Sequence, residues 1–536
     1  MTRPFPLARD FQAPGRSLVY ARNGLCATSH PLAAAVAVET LRAGGNAADA
    51  AIAAAVLLGI CEPQMTGLGG DCFALVKPAG SEEIIGLNGS GRAPAGLDPA
   101  GLRDQGHLAM PTHTPDAVTV PGAVDAFCRL AADHGRLGLA ACLAPAIRYA
   151  EEGVPVAPRV ARDWARAANL LRGDARHFYL FDGAPPRAGQ TFRAPGQAEA
   201  LRRIARDGRA GFYEGEVAQD MVASLAALGG THTADDFAAQ RADYVTPIRG
   251  DYRGHELVEL PPNGQGAAAL LLLAILERFD LAAMDPFGAE RAHVEAEATR
   301  LAYAARDRFL SDPATVGTAL DHLLAPATAA DLAALIDPGR RTTGLATIAA
   351  QRVHHRETVY LTVVDSDRMA VSLIYSIFNS FGSGLASAKF GINFHNRGAG
   401  FALTPGHPNE AAGGKRPMHT IIPAMLRREG RLMLPFGVMG GAYQAAGHAR
   451  LVSNLVDYGL DPQTAIDAPR AFAYDGTLTL ETGYAPATAE ALRAMGHDVA
   501  WAETPIGGAQ AILIDPEDGV LIGASDPRKD GCALGY

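Results

Sequence analysis

The sequence lacks the features that would tie it to an oxidising compartment, a nucleic acid or a bilayer. Its 536 residues include only six cysteines (Cys26, Cys61, Cys72, Cys128, Cys142 and Cys532), with no CxxC and no paired spacing. Reduced core thiols are therefore expected, not a disulfide framework. Net charge is −10, from 47 basic and 57 acidic residues, and the basic residues form no cluster, which argues against a nucleic-acid partner. No apolar run is long enough to span a bilayer, and the most apolar, 47–61, is Ala-rich and reads as a buried helix. The opening residues, Met1-Thr-Arg-Pro-Phe-Pro-Leu-Ala-Arg-Asp10, carry no apolar h-region, so the chain is expected to be cytoplasmic. Internal repeats, a phosphate-cradling Gly-rich loop and a Gly-x-Ser-x-Gly elbow are also missing. His354-His355 has no third ligand at useful spacing, so no metal site is expected.

What is present is a large apolar fraction, 48%, ample for an extensive core. Ser29 followed by Pro31 predicts a capped helix to about Ala43, and a second helix from Ala47 to about Leu58. Alternation predicts strands at 71–77 and 84–87. Apolar periodicity predicts helices at 121–134, 138–152, 195–206, 215–228, 264–279 and 288–308, interrupted by strand-like alternation over 244–259. Residues 337–356 are polar and basic and read as an exposed tail.

At Thr358 the texture changes abruptly. Gln351-Arg-Val-His-His-Arg356 is polar, whereas Thr358-Val-Tyr-Leu-Thr-Val-Val364 and Met369–Ser376 are apolar and β-branched around Asp365-Ser-Asp-Arg368. That pattern predicts a hairpin, with strands 358–364 and 369–376. A Thr opening a core strand behind a polar linker has two readings. One is plain β-propensity. The other is a nucleophile freed by cutting Glu357–Thr358, with its own α-amine, of pKa roughly 8, as base.

Several motifs bear on that choice. They are Ala43-Gly-Gly-Asn-Ala-Ala-Asp49, Thr66-Gly-Leu-Gly-Gly-Asp71, Gly91-Arg-Ala-Pro94, Lys415-Arg-Pro417, Met439-Gly-Gly441, Asp457-Tyr-Gly459, Ala468-Pro-Arg470 and Gly523-Ala-Ser-Asp-Pro-Arg528. With Glu357-Thr-Val-Tyr-Leu-Thr-Val-Val-Asp365, in this order and at these separations, the chain resembles the γ-glutamyltranspeptidase family over nearly its whole length. The resemblance implies an α/β (α+β) four-layer αββα sandwich of the N-terminal-nucleophile hydrolases. It also implies a large subunit, 1–357, and a small one, 358–536, cut autocatalytically between Glu357 and Thr358 and kept together as a heterodimer, with a dimer of heterodimers left open. By the same resemblance Thr358 is the nucleophile, Ser376 bonds it, Gly440 and Gly441 hold the oxyanion, and Arg92 grips a donor carboxylate. Asn379, Arg397, His419 and Thr420 fall at substrate-binding positions. No cofactor and no metal are implied.

Three positions depart from the family's pattern. Its acidic pair ahead of a Phe falls on Ala399-Gly400, its tandem serines on His419 and Thr420, and its Asn on Phe378, with Asn379 beside it. Losing a charged partner for the donor's ammonium would weaken it by about 2–5 kcal/mol. The expectation is therefore an amidohydrolase or acyltransferase for small carboxylate-bearing amides such as oxamate, resolved by water or an amine. A γ-glutamyl hydrolase and an uncleaved, non-catalytic relative are the alternatives.

Overall fold

The computed structural model describes residues 15–317, 319–343 and 358–536. The segment holding His354, His355 and Glu357 lies outside the described residues. Among the described residues, two seven-stranded sheets stack face to face, and every pairing within each is antiparallel. The first sheet runs, in spatial order, Cys532–Gly535, Leu25–Thr28, Val359–Val364, Ala370–Ser376, Asp71–Lys77, Ile85–Gly89, Asp243–Val245. The second runs Val19–Ala21, Leu521–Ser525, Gly508–Ile514, Arg431–Met439, Ala424–Arg428, His255–Glu259, Ile248–Tyr252.

Alternation explains the layering. One face of each sheet meets the other through Phe73, Leu75, Tyr360, Ile374, Met425 and Ile512. The outer face of the first sheet is covered by Pro31–Arg42, Ala47–Cys61, Ala123–His134 and Leu139–Glu152. That of the second is covered by Gly266–Leu276, Ala289–Phe309 and Tyr443–Val456. The result is helix, sheet, sheet, helix, as expected. The helix Ala47–Cys61 is buried at every position, which its uniform apolar composition permits and a solvent-facing helix would not tolerate.

The predicted hairpin forms as Val359–Val364 and Ala370–Ser376, in register Val359↔Tyr375 to Val364↔Ala370. The predicted helices match those observed to within a few residues at their ends. One cap differs. His30, not Ser29, caps Pro31–Arg42, its Nδ1 accepting from the Leu32 N–H. Ser29 instead donates to buried Glu62 at 2.5 Å, a partner 33 positions on. The described start of the expected tail, 337–343, is tied down. Thr342 N–H donates to Glu297 at 2.8 Å, and Arg341 N–H to the Met495 carbonyl at 2.8 Å.

The chain on either side of position 358 does not separate into domains. Val359–Val364 lies between Leu25–Thr28 and Ala370–Ser376, and residues from both sides alternate through both sheets. All six cysteines are free thiols. Among the described residues no helix is long and apolar enough to cross a membrane.

Candidate active site

Thr358 sits one residue ahead of the hairpin strand and is fully buried. Continuing the register places it opposite Ser376. Its Oγ donates to Ser376 Oγ at 3.4 Å and accepts from Gln444 Nε2 at 3.5 Å. Both contacts lie at the long end of the hydrogen-bond range. Ser376 Oγ in turn accepts from the Phe378 N–H at 2.9 Å. That bond needs the chain to fold back at once, and Phe378 takes φ +77°, an unusual value for a bulky residue and a frequent mark of a functional site.

Gly440 and Gly441 follow the strand Arg431–Met439 and precede the helix Tyr443–Val456. Their φ values, +125° and +59°, suit glycine, and they turn the backbone just before a helix N-terminus, where N–H groups favour negative charge. A shared donor ties this turn to the neighbouring loop. Gln265 Nε2 donates to the carbonyls of Thr420, at 2.6 Å, and Gly441, at 3.1 Å, while Arg306 holds the Gln265 oxygen at 2.8 Å. Gln444 makes a second tie, because its Oε1 accepts from the Ile422 N–H at 3.0 Å.

On the other side of Ser376 lies a buried charge cluster around Asp71, which pairs with Ser376 across the ladder. Asp71 Oδ1 accepts from the N–H groups of Gly91 and Gly122, both at 3.0 Å. Asp71 Oδ2 faces His395 Nδ1 at 3.3 Å, His419 Nε2 at 3.4 Å and Arg397 Nε at 3.8 Å. All four side chains are fully buried. His395 Nε2 donates to the Thr119 carbonyl at 2.7 Å. His419 stacks on Phe73, and the Arg397 guanidinium lies 4.5 Å over the Phe378 ring. Arg397 Nη1 reaches Thr420 Oγ1 at 3.5 Å. The Gly69–Gly70 pair lets the Asp71 strand start here. A Cβ at Gly69 would fall 2.1 Å from the Asn393 carbonyl, and one at Gly70 2.6 Å from that of Ser376.

The structure thus brings Thr358 and Ser376 into contact, ties Gly441 to Thr420, and gathers Arg397 and His419 round Asp71, with Thr420 against Arg397. Asn379 joins them through its N–H, which donates to Asn396 at 3.1 Å, next to Arg397. Arg92 is placed differently. It leaves the loop one residue after Gly91, but its half-exposed guanidinium donates to the Gly414 carbonyl at 3.1 Å and faces Asp312 at 3.5 Å. Ala399 is buried against Ala117 and Phe378. Sequence reading missed Gln444, Gln265, Asp71 and His395 as site residues. Asp71 closes a quoted Gly-rich motif and Gln444 lies three residues beyond another, and those positions were the available signals.

The family model for gamma-glutamyltranspeptidase matches residues 33–536. The chain belongs to this family. It is 36% identical over 520 residues to the glutathione hydrolase-like YwrD proenzyme of Bacillus subtilis, covering 94% of this chain and 97% of that one. It is also 36% identical over 533 residues to the oxamate amidohydrolase proenzyme of Klebsiella pneumoniae, covering 96% and 98%. The crystal structure of cephalosporin acylase from Bacillus halodurans superposes with a TM-score of 0.91 at 38% identity, covering 99% of each chain. Those relatives are hydrolases and amidohydrolases, and this chain is an enzyme of the same family.

Proposed function

We propose that the protein is a self-cleaving amidohydrolase whose nucleophile is Thr358, acting on small amides that carry a carboxylate but no α-ammonium. The observation that carries this reading is the Thr358 hydroxyl, held between Ser376 and Gln444 at the mouth of a buried strand. In maturation Thr358 Oγ attacks the Glu357 carbonyl carbon. The acyl group moves from nitrogen to oxygen, and water releases 1–357 with a new α-amine on Thr358. The interleaved sheets keep the two fragments together as a heterodimer.

In turnover the same α-amine takes the Oγ proton as Oγ attacks the substrate amide carbon. The Gly440 and Gly441 N–H groups receive the oxyanion. The C–N bond breaks, the amine or ammonia leaves with the proton, and water hydrolyses the ester to free the acid and Thr358. An amine in place of water would make the same step a transfer. Arg92, by the family resemblance, and the Asp71 cluster flank the donor position. The Klebsiella relative named for oxamate, a carboxylate joined directly to an amide, supports the donor class. Ala399-Gly400 offers no carboxylate for an ammonium.

The competing donor is γ-glutamyl, favoured by the glutathione hydrolase names among the relatives. A denaturing gel and N-terminal sequencing test the first step. Two fragments are expected, the smaller starting at Thr358, with a single band for Thr358→Ala. A single unprocessed band from the native sequence would leave the uncleaved, non-catalytic relative as the reading. Parallel assays of oxamate and glutathione test the second step, and turnover of glutathione orders of magnitude faster would reverse the donor assignment.

A further inference from the structure

The space between the two sheets ends, away from Thr358, in a cavity of about 200 Å³. The strand Ala370–Ser376 runs from the edge of this cavity to the candidate active site, six steps of about 3.3 Å, or roughly 20 Å. Leu432, Met433, Ile514 and Pro516 give the cavity an apolar wall. Lys77 closes its inner end. Phe73 and Leu75, on the same strand, face the second sheet, and the period of two turns Lys77 the same way, into the cavity. Its side chain is only 7% exposed. The ammonium has three donors, and its one described hydrogen bond goes to the Arg368 carbonyl at 3.2 Å. The nearest carboxylate, that of Glu82, is 3.8 Å away and gives its other oxygen to the Leu432 N–H at 3.0 Å. A buried ammonium is costly unless a counter-charge and hydrogen bonds surround it.

Three guanidiniums share the cavity with Lys77. Arg368 donates to backbone carbonyls, including those of Asp365 and Ser366, both at 3.2 Å. Arg428 and Arg431 are cross-strand partners at the turn between Ala424–Arg428 and Arg431–Met439. Like charges directly opposite one another destabilise a sheet. Glu429, in the turn between them, stands 3.9 Å from Arg428. Against these four cations the lining sets two carboxylates, Glu82 and Glu429. Asp515, beside the wall, accepts instead from the Glu517 N–H of its own loop at 2.9 Å. An anion in the cavity answers both the buried ammonium and the opposed guanidiniums.

We propose that this cavity is a binding site for an aliphatic monocarboxylate, separate from the site of amide cleavage. The carboxylate is held by Lys77 and by the Arg428–Arg431 pair, and the chain lies on Leu432, Met433 and Ile514. The volume is that of about seven waters at about 30 Å³ each, which suits a tail of about six carbons. The charge sets the sign of the ligand and the wall sets its apolar body.

The test is calorimetry of the full chain with hexanoate, set against hexan-1-ol and hexylamine, which keep the tail and remove or invert the charge. The expected result is one hexanoate per chain, with the alcohol and the amine weaker by about tenfold or more. Lys77→Met keeps the length of the side chain without its charge and should weaken hexanoate about 30-fold. Arg431→Gln, at the exposed mouth, should weaken it about two- to fivefold. Ile514→Trp fills the cavity from a half-buried position and should abolish binding, which keeps the test open if Lys77→Met does not fold. Thr358→Ala should bind as the native chain does, so the result stands or falls apart from the hydrolase reading. The absence of saturable hexanoate binding by the native chain overturns the proposal, as does equal binding of hexan-1-ol or hexylamine. Binding that survives both Lys77→Met and Ile514→Trp, or that is lost in Thr358→Ala, puts hexanoate elsewhere and overturns it as well.

Discussion

Asp71→Asn is the sharpest single test of the charge cluster. Asparagine keeps Oδ1 for the N–H groups of Gly91 and Gly122, so the loops they hold should survive. It replaces Oδ2 with an NH₂ that faces the Arg397 Nε–H, setting donor against donor. At the 3.8 Å separation of Arg397 Nε and Oδ2, the lost attraction is about 4 kcal/mol at an effective dielectric near 20. Breaking a buried pair and leaving one charge unmatched costs about 3–5 kcal/mol in practice. For a chain of 536 residues melting as one unit, that corresponds to a drop of about 3–5 °C. Calorimetry of the matured protein at a fixed scan rate should read it. The double variant Asp71→Asn with Arg397→Gln removes both charges and should melt above Asp71→Asn alone, since the two sites are in contact and do not add. If Asp71→Asn melts like the native protein, or if the two losses simply add, Asp71 is not the counter-charge of Arg397.

The other predictions concern the nucleophile's surroundings and a buried acid. Gln444→Leu should lower stability by about 1–3 kcal/mol, because the buried Ile422 N–H loses its 3.0 Å acceptor. It should slow turnover only about two- to tenfold, because the bond to Thr358 is long. Melting equal to the native protein's would refute the first part, and single-turnover rates check the second. Gly440→Ala must place a Cβ 2.8 Å from the Gly507 Cα at φ +125°, so kcat should fall about 100-fold or more and cleavage should slow on a time-resolved gel. Normal rates would remove the glycine pair from the chemistry. Glu62 is pushed up to about 7 by burial, with the Ser29 hydrogen bond opposing. Its folded pKa is above the unfolded value, so the stability it contributes is present below pH about 4.5 and is lost as pH rises through 7. Glu62→Gln should therefore melt close to the native protein at pH 5 and be roughly 2–3 kcal/mol more stable at pH 8.5. A difference that does not grow with pH would contradict this.

What the sequence made legible was whatever repeats along the chain. The helices carry several turns of apolar periodicity, and Asp71–Lys77 and the hairpin carry several steps of alternation, so their ends came within a few residues. Leu25–Thr28, Leu521–Ser525 and Cys532–Gly535 were not read as strands. Four or five residues hold too little pattern, and these segments are strands because of their partners. Leu25–Thr28 pairs with residues 361–364 and 532–535, hundreds of positions away. The site divides in the same way. Thr358 announced itself by a local change of texture, and Gly440–Gly441 by a turn between strand and helix. Asp71, His395 and His419 meet only through the register of the sheet and the loops that leave it, and no local spacing encodes that meeting. Ser29 failed as a cap for a related reason, because a buried acid 33 residues away claims its hydroxyl.

That division bears on how a threonine at the end of a strand would serve as the proposed nucleophile. A chain terminus is ordinarily the most mobile part of a fold. The residues after Thr358 are paired to Ala370–Tyr375 at all six positions of the strand, and to Leu25–Thr28 over four. A cut before Thr358 would thus free an amine where the backbone is already fixed from both sides. The hydroxyl and amine would sit on one residue, held to the Gly440–Gly441 turn through Gln444, with little left to order on substrate binding. A mobile nucleophile would have to be ordered in every turnover. On the proposed mechanism the ladder would order it once, during folding, and the long contacts to Ser376 and Gln444 would need only to tighten.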